Sequence, residues 1–185
     1  MSDPSRQFEL IGGQEKREIR IVDSDPAWPH IYERHATTLR CALGSVALQI
    51  EHIGSTSVPG LAAKAIIDIL LVVPDSGDEN SYLAAMQHAG YQLRVREPGF
   101  YEHRMFRTPQ RDVHIHVFST GCIEIERYLL FRNRLRSNTA DRLRYEAAKR
   151  DLASREWDCM NDYADAKSDV VEQIIAAARA ERSSR

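Results

Sequence analysis

The chain has 185 residues, 43% hydrophobic and 28% charged, enough apolar sequence for one core and too ordinary a balance for a disordered or fibrous protein. A formal net charge of −2 excludes a strong global field toward nucleic acid, and no DNA-binding motif is present. Met1 to Arg20 lacks the apolar stretch of a signal peptide, no later run is long enough to span a bilayer, and Cys41, Cys122 and Cys159 form neither a zinc spacing nor a disulfide framework, so a cytoplasmic protein with reduced thiols is expected.

Residues 1–18 lack periodicity and contain Gly12-Gly13, which predicts a loose arm ahead of one domain over 19–182. A short strand is expected at Ile19–Val22. Asp25-Pro26 has the chemistry of a helix start, and that helix should carry Trp28 against a sheet and stop at Gly44. Val46–Ile53 reads as a strand, Gly54 to Gly60 as a turn, and Leu61–Lys64 as a brief helical piece. The run Ala65–Val73 is aliphatic except for Asp68, which predicts a strand buried on both faces and stopped at Pro74. A helix over Asp78–Ala89 and strands at Tyr91–Arg96, His103–Thr108 and Val113–Phe118 follow. From Gly121 the chain reads as helical, and in its last helix Met160, Tyr163, Lys167, Val170, Ile174 and Ala178 recur at three- and four-residue steps. The element order predicts an α/β (α+β) fold: a mixed sheet, core over about 19–120, with helices on one face and a C-terminal helical layer over about 121–182.

The chemistry concentrates in Glu51-His52-Ile53-Gly54-Ser55-Thr56-Ser57 and the Asp68-Ile69-Leu70 that follows. Gly54 lets backbone approach a phosphate, the hydroxyls of Ser55, Thr56 and Ser57 donate to its oxygens, and Asp68 on the next strand is placed to hold a divalent metal. Taken alone, a Gly-Ser turn is usually only a turn. On the strand His114-Ile115-His116-Val117-Phe118, alternation sends Val113, Ile115 and Val117 into the core and His114 and His116 to the opposite, open face. There His116 is a candidate metal ligand with Asp68, and either histidine a candidate general base, although such histidines are commonly solvated. Arg104, Arg132 and Lys64 are candidate anion binders, whereas Arg136 reads better as surface charge. Lys167 lies on an apolar stripe, so its stem snorkels or its head reaches the groove. Glu51 and His52 have opposite parity, so only one of them faces the groove.

The stretch from Ile50-Glu51-His52-Ile53-Gly54-Ser55-Thr56-Ser57-Val58-Pro59-Gly60 through Asp68-Ile69 resembles the signature of the GrpB-like family. His114-Ile115-His116-Val117, Phe131-Arg132-Asn133-Arg134 and Tyr163-Ala164-Asp165-Ala166-Lys167 are similar to its later segments, and the match runs from about Ile19 to Ile175. That resemblance implies a nucleotidyltransferase-like fold and, less directly, transfer of a nucleotidyl group from a nucleoside triphosphate with Mg²⁺ or Mn²⁺. The wider pattern carries two acids one residue apart on the Asp68 strand, and here the second position is Leu70, which cannot bind metal. The alternative is therefore an accessory protein that binds a nucleotide or other phosphorylated small molecule without catalysis. A metal-dependent hydrolase built on Asp68, His114 and His116 ranks last.

Overall fold

The computed structural model describes residues 8–13, 15, 19–157, 162–163 and 166–183; Cys159 and Met160 lie outside the described residues. Its strands are β1 (Glu9–Leu10), β2 (Gln49–Ile53), β3 (Ile67–Val73), β4 (Gln92–Glu97), β5 (His103–Arg107) and β6 (Val113–Ser119), joined in one sheet of order β1-β4-β5-β6-β3-β2. The aliphatic run organises this sheet. β3 pairs antiparallel with β2 and parallel with β6, and all other pairings are antiparallel. Because successive side chains alternate, Ile67, Ile69, Leu71 and Val73 enter one core and Leu70 and Val72 the other, so β3 is buried on both faces as its composition predicts.

Helices α1 (Trp28–Leu43) and α2 (Leu83–His88) cover the first face, where Trp28, Leu39 and Met86 pack with Ile69, Ile115 and Phe106. Among the described residues three helices form the C-terminal layer on the other: α3 (Ile123–Ser137), α4 (Thr139–Ala153) and α5 (Ser168–Ser183). Ile125, Tyr128 and Leu129 of α3 pack on Leu70, Val72 and Phe118, while Leu135, Tyr145 and Ile174 close a smaller core with Val58 and Leu61. This is the mixed α/β architecture expected. Among the described residues no helix is long and apolar enough to cross a membrane.

Several boundaries differ from expectation, each for a local reason. The strand at Ile19–Val22 reduces to one bridge, Val22 to Ala63. Those two residues exchange both backbone hydrogen bonds (2.8 and 2.9 Å), so the piece expected to be helical at Leu61–Lys64 is extended, and the helical turn falls earlier, at Ser55–Ser57. Tyr82 splits the expected second helix by turning its ring into the core and donating to the Ser76 carbonyl. Asn138, whose side chain accepts from the Asp141 N–H at 2.9 Å, separates α3 from α4. The last helix begins at Ser168, so Lys167 sits in the turn before it. In the segment read as a loose arm, Glu9 and Leu10 form an edge strand on β4, and Arg94 donates to the carbonyls of Ile11 and Gly13.

Candidate functional site

Ile53 pairs in register with Asp68, and the chain leaves β2 through Gly54 at φ 67 and ψ −173. An L side chain rarely adopts that conformation, and a Cβ there would lie 2.4 Å from Asp68 Oδ2. The carboxylate therefore rests on the glycine Cα. Gly54→Ala should cost about 2–4 kcal/mol through strain and the displaced carboxylate, a loss that urea denaturation reads directly.

The three hydroxyls after Gly54 have different fates. Ser57 Oγ donates to the Gly54 carbonyl (2.6 Å) and Thr56 Oγ1 to that of Ile66 (3.1 Å), with His52 Nε2 a further 3.1 Å partner of Thr56. Both hydroxyls are buried and tie the turn together. Ser55 instead meets Lys149 Nζ at 3.0 Å and the Tyr145 phenol, both from α4.

Across the turn lies the histidine strand. His116 Nε2 and His114 Nδ1 approach Asp68 Oδ1 at 3.6 and 3.7 Å, and Asp68 keeps 29% of its side chain exposed, enough to meet a ligand. Burial works to raise the Asp68 carboxyl, but His116, His114 and Lys64 outweigh it and hold the group below its ordinary value. Behind His116 stands His103, which sequence reading missed. Its Nε2 lies 3.2 Å from His116 Nδ1, and its Nδ1 lies 2.6 Å from Glu97 Oε2. A carboxylate only accepts, so His103 carries its proton on Nδ1 and, when neutral, accepts from His116 Nδ1. His116 Nε2 is then the ring nitrogen that faces Asp68 on the open side of the strand, which places it to exchange a proton with a ligand bound beside that carboxylate.

The arginines expected to bind anions are otherwise engaged. Arg104 shares a strand face with Phe106, opposite to His116, and gives its guanidinium to Glu79 (2.6 Å) and Glu102 (3.1 Å) on the far side of the sheet. Arg132 reaches the turn, yet it pairs with Glu51 at 2.7 Å and holds the His52 carbonyl at 3.0 Å. Arg136, read as surface charge, donates twice to the Ser57 carbonyl. Glu51 thus faces the helical layer and His52 the opposite core, stacked on Tyr32 at 4.7 Å, as their parity requires. Replacing Arg132 with alanine should cost about 2–4 kcal/mol, because Glu51 is left half-buried without its partner, a loss that thermal unfolding would register.

Lysines supply the cation charge at this site. Lys149 is 2% exposed, with Nζ on Ser55 and on the Ala62 carbonyl, and Lys64 and Lys167 lie 5.2 and 4.5 Å from the centre of the Tyr163 ring. Burial, with neighbouring lysines adding to it, brings Lys149 down to about 7 and Lys167 to about 8. For a resident metal the donor set fits poorly. Leu70 occupies the second acid position inside the core, Glu51 is spent on Arg132, and among the described residues no group of three or more His, Cys, Asp or Glu side chains is arranged to hold a metal ion.

A mixed sheet with a Gly-Ser turn set against a strand aspartate and an H-x-H strand defines an α/β protein of one particular kind. The family described as GrpB protein matches residues 18–177, and the chain belongs to it. A UPF0157 protein of Halalkalibacterium halodurans is 52% identical over 162 residues, covering 88% of this chain and 83% of its own. One from Streptomyces coelicolor is 52% identical over 174 residues, covering 94% and 91%. The crystal structure of the conserved protein GrpB from Enterococcus faecalis superposes with a TM-score of 0.76 at 32% identity, over 88% of this chain and 99% of that one.

Proposed function

We propose that the protein binds a nucleotide, or another phosphorylated small molecule, in the groove between the Asp68–His116 face of the sheet and the C-terminal helices. The observation that carries this reading is the convergence of Ser55, Lys149, Lys167 and Lys64 on the turn beside Asp68. A phosphate chain needs donors and positive charge, and both are gathered there by elements distant in sequence. Thermal unfolding with ATP, CTP, GTP and UTP, each with EDTA or with Mg²⁺ or Mn²⁺, tests it. A nucleotide at a hundred times its Kd should add about 3 kcal/mol of stability. No rise with any of the four would refute nucleotide binding.

A second reading, nucleotidyl transfer to an acceptor hydroxyl, is favoured by the Glu97–His103–His116–Asp68 series. The hydroxyl oxygen would bond to the α-phosphorus, the bond to pyrophosphate would break, and the proton would pass to His116 Nε2. Positioning and charge neutralisation would supply the acceleration. It predicts pyrophosphate release that depends on divalent metal and on Asp68, and that falls at least a hundredfold in His116→Gln. Binding without turnover would leave the accessory role.

A further inference from the structure

Two features of the helical layer are unfavourable for folding alone. Tyr163 is 1% exposed, and its hydroxyl has no hydrogen-bond partner among the described residues. An orphaned buried hydroxyl normally destabilises a fold. The ammonium groups of Lys64 and Lys167 lie over the Tyr163 ring, and that of Lys149, on Ser55, is within electrostatic reach of both. Lys149 and Lys167 make no ion pair among the described residues, and the nearby Asp68 already faces two histidines. Lys149 and Lys167, buried cations crowded against other cations and without an ion pair among the described residues, call for an anion.

We propose that Lys64, Lys149 and Lys167, with the Tyr163 hydroxyl and Ser55, form a subsite for the multiply charged phosphate end of a polyphosphate ligand. The proposal rests on the phosphate-binding reading above and names the part of the ligand that this end of the groove takes. Three compact point charges and two hydroxyls suit a tetrahedral group with several acceptor oxygens, whereas a planar carboxylate favours the arginine fork, and the arginines here are engaged elsewhere. The electrostatics agree. Lys149 faces Glu146, Arg150, Tyr145, Lys64 and Lys167, while Lys167 faces Lys64, Asp68 and Tyr163. In both sets cations oppose the lysine, so an arriving polyanion restores protons that burial has loosened. Binding then takes up protons and weakens from pH 7 to pH 9.

Calorimetric titration of the full chain with inorganic tripolyphosphate and with ATP, in EDTA at pH 7, tests the subsite in Lys167→Met and Tyr163→Phe. Neither substitution removes a hydrogen bond that the described structure makes, so both variants should melt at or above the wild-type temperature. Tripolyphosphate affinity should fall at least tenfold in Lys167→Met and three- to fivefold in Tyr163→Phe. Wild-type affinity in both, or a lowered melting temperature with affinity intact, overturns the subsite. ATP binding that is unchanged in both variants overturns the subsite and keeps the nucleotide reading. Lysine-dependent tripolyphosphate binding without any binding of ATP does the reverse, and a wild-type protein that binds neither probe overturns both.

Discussion

Leu70→Asp should unfold the protein instead of rebuilding a pair of metal-binding acids. The substitution restores the wider nucleotidyltransferase pattern on paper, since Asp68 and residue 70 share a strand face. Leu70, however, is 0% exposed, packed with Ile53, Val72 and Phe118 beneath Ile125, Tyr128 and Leu129 of α3. Removing the leucine costs about 2–5 kcal/mol in lost burial and residual cavity. Burying a carboxyl without partners adds about 1–3 kcal/mol even after it takes up a proton. The sum, about 3–8 kcal/mol, rivals the whole stability of an ordinary domain, about 5–15 kcal/mol. Circular dichroism during urea titration should show Leu70→Asp largely unfolded in water and Leu70→Met within about 1.5 kcal/mol of wild type. A folded Leu70→Asp that binds Mn²⁺ would mean that α3 does not seal this face.

The second large effect is alkaline stabilisation. Lys149 titrates near 7 in the folded chain against about 10.4 unfolded, and Lys167 near 8. Below pH 7 both states hold the Lys149 proton, and this group contributes no pH dependence. Between about 7 and 10 the unfolded chain binds more protons than the folded one, so stability rises with pH. The expected gain is about 2–4 kcal/mol between pH 7 and 9.5, a scale set by several units at 1.36 kcal/mol each and reduced for relaxation. Above pH 10 the trend reverses. Burial raises Tyr91 and Tyr163 to about 12, so their protons leave the unfolded chain first and the native state loses that advantage. Urea denaturation at pH 7, 8 and 9.5 reads the slope. Lys149→Met should flatten it, whatever the variant does to stability at pH 7 by removing the bonds to Ser55 and Ala62; an unchanged slope would mean that Lys149 keeps an ordinary pKa.

Much of the frame was legible because it depends on short-range rules. The aliphatic run around Asp68 predicted a strand buried on both faces, and alternation alone put Ile115 in the core, His116 outside it, and Glu51 and His52 on opposite faces. The remainder depends on register and on distant partners. Arg104 has the sequence neighbourhood of a groove residue, but its pairing with Val117 sets it on the opposite face. His103 reaches His116 only because β5 and β6 align as they do. Lys149 meets Ser55 across 94 residues of chain, and its sole local signal was a charge between Tyr145 and Leu152 on an otherwise inward helix face. Thr56 and Ser57 have the residue types for phosphate contact, but both are consumed by the backbone of their own turn.

Strand β1 contributes two ladder residues, tethered by Glu9 to Arg96 across 87 residues of chain. Two ladder pairs, with Arg94 holding the Ile11 and Gly13 carbonyls, are a short attachment at the rim of the sheet, so this contact opens before the inner strands do. Its opening uncovers the outer backbone of β4, whose unpaired N–H and C=O groups are then a template for a strand from another molecule. While it is paired, β1 covers that edge of β4. A chain shortened past Gly13 should keep its secondary structure and sediment as concentration-dependent oligomers where the full chain does not.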